Sequence, residues 1–198
     1  MLVKSNPYLD EFNALGVTDG CDFQRSLQLF QERDRLVQKY AWAIPNEEAI
    51  EILLKYSPVV EIGCGAGYWA SLVEQSGGEI AAYDKYVNKR GYVRSQTTHK
   101  YAKPFTRVVK GDCGAAELHS ESTLFLCWPP YDSSMAYQCL STYLNSGGKT
   151  LIYVGEGSGG CTGCGKFHEL LDERMESVEC VSIPRWHGMH DYMEIFHC

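Results

Sequence analysis

Long apolar runs are missing from this sequence. No stretch approaches the ~18 uninterrupted apolar residues that a membrane span needs, so no transmembrane helix is expected. The opening Met1-Leu2-Val3-Lys4-Ser5-Asn6-Pro7 lacks the basic-then-apolar layout of a secretory signal, and the cytosol is the expected compartment. Positive charge is also short: 18 Lys and Arg stand against 25 Asp and Glu, a net charge of −7. General adhesion to nucleic acid or to an anionic membrane depends on a summed positive field, so this balance argues against both. Internal repeats and low-complexity tracts are absent as well. What remains is a chain of 198 residues, 44% of them hydrophobic, with ordinary globular proportions. A chain of this length buries roughly 70% of the surface its unfolded form exposes, and needs no staple to hold a core.

The charge average conceals a local reversal. Between Asp84 and Asp112 there is no acid, while Lys85, Lys89, Arg90, Arg94, Lys100, Lys103, Arg107 and Lys110 supply eight of the eighteen basic residues. That segment suits an anionic substrate or a solvated basic face balanced by acids elsewhere. The nine cysteines, an odd number without a secretory signal, argue against a disulfide framework. Cys64, Cys113, Cys127, Cys139 and Cys180 stand in apolar surroundings and are expected as small buried hydrophobes. Cys161-Thr-Gly-Cys164, followed by His168, has the gap of a zinc knuckle or a redox pair, but no second pair with knuckle spacing follows. His187, His190, His197 and Cys198 complete a ligand set only through an unforeseen fold contact. A glycine-rich loop that carries two thiols is the simplest account, and no metal is expected.

Residues 1–22 show no sustained period and read as an irregular arm. Phe23, Leu27, Phe30, Leu36 and Val37 suggest an amphipathic helix from Phe23 to Tyr40. After Pro45, which cannot continue a helix, Asn46 is a good cap for a second one through Ala49, Ile50, Leu53 and Leu54. From Pro58 on, apolar β-rich runs alternate with helical stretches. Strands are expected at Val59–Ile62, Glu79–Tyr83, Thr106–Val109, Thr123–Trp128, Lys149–Val154, Val178–Ile183 and Tyr192–His197. Helices are expected at Tyr68–Gln75, Ala115–His119, Met135–Leu144 and Phe167–Met175. Alternation of this kind implies βαβ units, hence an α/β three-layer sandwich around a seven-stranded, mostly parallel sheet. Only eight residues, Pro184 to Asp191, separate the last two strands, too few for a helical crossover, so the last strand is expected to run antiparallel. The expected organisation is a helical arm, 1–57, packed on a core, 58–198, in one domain.

The first strand runs into Val59-Val-Glu-Ile-Gly-Cys-Gly-Ala-Gly67 and then directly into a helix. Glycines let the backbone turn sharply and approach a ligand, and a helix N-terminus offers free N–H groups. The dinucleotide fingerprint needs a glycine at 68, where this chain has Tyr68, which counts against NAD. The pattern Glu61-x-Gly63-x-Gly65-x-Gly67 instead resembles the first motif of the class I S-adenosylmethionine-dependent methyltransferases. The resemblance continues in order: the second strand ends at Asp84, where that family places an acid on the cofactor ribose, and Gly111-Asp112-Cys113 stands where it places an acid near the adenine amine. The resemblance implies S-adenosylmethionine as cofactor, held by Glu61, Gly63, Cys64, Gly65, Gly67, Tyr68, Asp84, Lys85, Asp112, Cys113 and Cys127.

The fourth strand ends in Trp128-Pro129-Pro130-Tyr131. Two prolines cannot donate to a sheet ladder, so the strand must stop, and they stiffen the backbone that presents Tyr131. This resembles the fourth motif of amino-methyltransferases, in which a polar residue precedes Pro-Pro-aromatic and accepts a hydrogen bond from the target amine. Here Trp128 stands at the polar position, and an indole donates but does not accept. Backbone carbonyls, that of Pro129 among them, and Asp132 are the available substitutes. In an open α/β sheet ligands sit outside the carboxyl ends of the parallel strands. The turn from Arg185 to Asp191, the glycine-rich loop 155–165 and the Trp42 segment are therefore expected to wall an acceptor pocket with Trp128 and Tyr131. His187, His190 and Asp191 are the candidate bases. The function expected is methyl transfer to N or O of a small, aromatic or amine-bearing molecule. Transfer to a nucleic-acid base or protein side chain is the second possibility, through the 85–110 segment, and a silent cofactor-binding subunit the third.

Overall fold

The computed structural model describes residues 5–17, 23–95 and 98–198. Part of the expected irregular arm is helical: α1 spans Pro7–Ala14, with Pro7 in its first turn and Asn6 as its cap, the Asn6 Oδ1 accepting from the Leu9 amide at 3.2 Å. Residues 1–4 and 18–22 of that arm lie outside the described residues. α2, Phe23–Lys39, buries a different stripe from the one expected. Leu29, Leu36, Val37 and then Tyr40 face inward, while Leu27 and Phe30 are 48% and 53% exposed. α3, Glu47–Lys55, starts where expected, its Asn46 cap accepting from the Ala49 amide at 3.0 Å and Glu47 and Glu48 filling the electropositive first turn.

The strands and helices that follow are β1 Val59–Ile62, α4 Tyr68–Gln75, β2 Ile80–Asp84, β3 Val93–Arg94, β4 Tyr101–Ala102 and β5 Val108–Lys110. A 3-10 turn at Cys113–His119 leads to β6 Thr123–Cys127, α5 Met135–Asn145, β7 Thr150–Gly155, α6 Gly165–Arg174, β8 Glu176–Val181 and β9 Tyr192–His197. The seven-stranded sheet has the order β5-β2-β1-β6-β7-β9-β8. Its pairings are parallel except those of β9, which inserts antiparallel between β7 and β8. Two details differ from expectation: β3 and β4 form a separate hairpin inside the basic segment, and the short helix after β5 is a 3-10 turn. The hairpin strands are too short to show an alternation.

Both faces of the sheet are covered, which is why its central strands are apolar without alternation. On one face Tyr8, Phe12, Leu36, Ile50, Leu53, Trp69 and Phe125 form a layer built from α1 to α4, so residues before β1 are part of the core. On the other, Leu126, Leu140, Tyr143, Tyr153 and Phe167 pack α5 and α6. Cys180 departs from the expected burial: it lies on the edge strand β8 and is exposed. Among the described residues no helix is long and apolar enough to cross a membrane.

Candidate functional site

The loop between β1 and α4 has Gly63, Gly65 and Gly67 at φ +79°, +56° and +72°, the left-handed region that side chains resist. Space is unequal at the three. A Cβ on Gly63 would lie 2.5 Å from the Met135 Cε, and one on Gly67 3.1 Å from the Val108 Cγ2, whereas at Gly65 nothing described lies within 4 Å. Most of the loop amides are spent on the fold. Those of Gly63 and Cys64 donate to the Tyr83 carbonyl at 2.8 and 3.1 Å, and that of Gly67 to the Cys64 carbonyl at 2.9 Å. The Gly65 amide donates to the Asp84 Oδ2 at 3.1 Å.

Two acids lie against this loop. Glu61 is only 2% exposed, and its Oε2 has no hydrogen-bond partner among the described residues. Burial, reinforced by the nearby Asp84 charge against a bond from the Ala70 amide, pushes its pKa up to about 8. Asp84 is buried at the end of β2, its Oδ1 accepting from the Tyr86 amide at 2.8 Å; burial raises its pKa as well. The other candidates for the cofactor spread out. Asp112 is exposed and caps the 3-10 turn, its Oδ1 accepting from the Gly114 amide at 3.1 Å. Cys113 donates to the Met135 carbonyl at 3.2 Å, and Lys85 is exposed, its Nζ 4.8 Å from the Tyr86 ring centroid. Burial pushes the Cys64 and Cys127 thiols well up, so both stay protonated. Tyr68 faces the arm: its hydroxyl donates to the Asn6 Oδ1 at 2.8 Å and accepts from the Tyr8 amide at 3.1 Å.

β6 is hydrogen-bonded to β1, so the end of β6 lies beside the glycine loop. There Trp128 takes a φ of +50°, an outlier for a bulky residue. Its amide donates to the Val154 carbonyl at 2.7 Å and its indole Nε1 to the Asp191 Oδ2 at 3.0 Å. Trp42 stacks on it with centroids 5.6 Å apart and planes 11° apart, and the Arg33 guanidinium lies 5.5 and 5.8 Å from the two ring centroids. The Pro129 carbonyl accepts from the Gly163 amide at 3.1 Å, and the Asp132 amide donates to the Gly163 carbonyl at 2.8 Å, which clips the glycine-rich loop onto the Pro-Pro segment.

Tyr131 does not join this cluster and is 71% exposed, and Asp132 is exposed too. His187 and His190 are also exposed. Glu156, which sequence reasoning missed, ties the loops together: its Oε2 accepts from the Cys161 amide and its Oε1 from the His190 amide, both at 2.7 Å. Burial opposes its charge, but those amides outweigh it and hold the carboxyl below the usual range. Its sequence signal is a lone acid between Gly155 and Gly157 at the end of β7. Arg33 was missed as well; its signal is a cation in the buried stripe Leu29, Leu36, Val37. Cys161 is exposed, and the His168 Nε2 lies 3.1 Å from the Thr162 carbonyl. Among the described residues no group of three or more His, Cys, Asp or Glu is arranged for a metal.

No family model and no curated protein matches the chain. Solved structures do. Magnesium protoporphyrin IX methyltransferase from Synechocystis PCC 6803, solved with bound S-adenosylhomocysteine, aligns with a TM-score of 0.52 at 10% identity, over 96% of this chain and 93% of that one. The 1,6-didemethyltoxoflavin-N1-methyltransferase of Burkholderia thailandensis, solved with 1,6-didemethyltoxoflavin and S-adenosylhomocysteine, aligns with a TM-score of 0.53 at 11% identity, over 91% and 92%. At these identities the likeness is one of fold: a Rossmann-like α/β sandwich shared with those two proteins.

Proposed function

We propose that the chain is an S-adenosylmethionine-dependent methyltransferase whose acceptor is a small, planar, amine-bearing molecule. The observation that carries the reading is the buried Glu61 Oε2, unpartnered among the described residues, beneath a left-handed glycine loop at the carboxyl edge of the sheet. A buried polar atom without a partner costs free energy, and a cationic ligand group removes that cost.

The residues present fit the cofactor. Glu61 suits the ammonium of its amino-acid portion, and Asp84, each oxygen of which accepts one amide and keeps a second lone pair, suits the ribose hydroxyls. The open face of Gly65 lets a ligand come close to the backbone. When bound, S-adenosylmethionine supplies a methyl group activated as a sulfonium. The chain's own residues then align the acceptor, keep water out and hold the acceptor's proton, and in-line displacement needs little more from a protein. Fold likeness to small-molecule methyltransferases supports the acceptor class without assigning it.

A second reading, methylation of a nucleic-acid base, is favoured by one observation. The basic residues from Lys85 to Lys110 have no carboxylate within ion-pair distance among the described residues, and Tyr92 and Tyr101 are exposed between them. The test is transfer of radiolabelled methyl from S-adenosylmethionine to a pool of small aromatic amines and, separately, to single-stranded oligonucleotides at low and physiological salt. Label in the amines alone supports the first reading. Salt-sensitive label in the oligonucleotides replaces it with the second. Cofactor binding with no transfer to any acceptor would make the chain a silent subunit.

A further inference from the structure

We propose that Asp191 and the Trp42–Trp128 stack form the methyl-acceptor site, and that Asp191 supplies the hydrogen-bond acceptor which the Trp128 position lacks. This inference rests on the methyltransferase reading and names the side chains that select its substrate. Asp191 is 4% exposed; its Oδ2 is taken by the Trp128 indole at 3.0 Å, while its Oδ1 is buried with no hydrogen-bond partner among the described residues. The one polar group of Trp128 is thus spent on fixing Asp191, and the free lone pairs belong to Asp191. Trp128 holds this pose at φ +50°, a strained backbone state for a bulky residue that persists only where the surroundings impose it. Asp132, the carboxylate nearer in sequence to the Pro-Pro turn, is exposed and brings no comparable oxygen.

Position fits the assignment. Trp128 follows β6, one strand away from the glycine loop on β1, and Asp191 precedes the antiparallel β9, three strands from β1; both lie on the carboxyl edge of the sheet.

The ring stack already carries a planar nitrogen cation. Arg33 comes from the buried stripe of α2 and lies against both indoles, yet its Nε is buried without a partner and no described carboxylate pairs with it. Among the described residues its one hydrogen bond is a weak one, to the Met189 Sδ at 3.7 Å. A guanidinium held this loosely marks a surface that favours flat, electron-poor nitrogen groups and yields to a ligand that offers more. An amine-bearing ring offers stacking to Trp42 and Trp128 and an N–H to Asp191 Oδ1. In the reaction the amine lone pair forms the new N–C bond, the methyl C–S bond breaks with its electron pair passing to sulfur, and the N–H proton passes to Asp191.

The experiment is calorimetry on the S-adenosylhomocysteine-loaded chain with planar amines and their des-amino counterparts: 2-aminoquinoline with quinoline, and adenine with purine. We expect at least one amine to outbind its counterpart about tenfold, as a charge-assisted hydrogen bond allows. Asp191→Asn should abolish that preference, with its S-adenosylhomocysteine affinity unchanged. Trp42→Ala should weaken both members of the pair alike, a second variant that leaves the carboxylate in place. Equal binding within both pairs, or a preference that survives Asp191→Asn, would overturn the inference. Failure of the wild-type chain to bind S-adenosylhomocysteine would instead overturn the methyltransferase reading on which it rests.

Discussion

Replacing Glu61 with glutamine turns the most buried acid of the site into a thermodynamic probe. In the folded chain its pKa is about 8 against an ordinary 4.5, chiefly through burial. Between those values the native state keeps a proton that the unfolded chain has released. Wild-type stability from this group is therefore complete below pH 4.5, falls as pH rises, and levels off above pH 8. The span of 8 − 4.5 units, at ~1.4 kcal/mol each, corresponds to at most about 5 kcal/mol. Glutamine keeps the shape and cannot ionise, so Glu61→Gln should match the wild type at pH 5 and exceed it by several kcal/mol at pH 8 to 9. Asp84, Asp191 and Glu156 titrate in both proteins and largely cancel in the difference. Urea unfolding at each pH unit from 5 to 9 reads this directly. Two stability curves that stay parallel across that range would refute the claim that Glu61 is buried and unpaired.

Gly65→Ala and Gly67→Ala separate strain from crowding: both force alanine to a positive φ, at a cost of ~1–2 kcal/mol, but only the second drives a Cβ to 3.1 Å from Val108, so Gly67→Ala should melt lower. Trp186→Phe removes the indole that donates to the Tyr8 hydroxyl at 3.1 Å and packs edge-on against Phe12, and thermal unfolding should show a loss of about 2–4 kcal/mol. Trp128→Asn should leave S-adenosylhomocysteine affinity near normal and change amine preference in the calorimetric pairs. A collapse of cofactor affinity in that variant would make Trp128 a structural residue only.

The sheet was legible because its punctuation is strong. β1, α4 and β9 have the bounds expected from Pro58, the glycine loop and the short Pro184–Asp191 turn, each of which stops or reverses the chain for a local reason. α1 was not legible because residues 1–22 show no sustained apolar period, and the β3–β4 hairpin because two-residue strands are too short to display one. The buried face of α2 was misassigned because Arg33 interrupts its apolar stripe, and Phe30 offered a more conventional one. At the site, the glycine loop was readable from its spacing, and Asp84 became a candidate through the resemblance to a known motif order. The bond between Trp128 and Asp191 joins residues 63 apart in sequence, and only the insertion of β9 beside β7 brings them together.

The most direct test of the account is calorimetric titration of the purified chain with S-adenosylmethionine and S-adenosylhomocysteine, beside an Asp84→Ala control and with NADH as a competing class. Micromolar binding of both, lost in the control and absent for NADH, is the predicted result. A folded, cofactor-free chain that binds neither would contradict it.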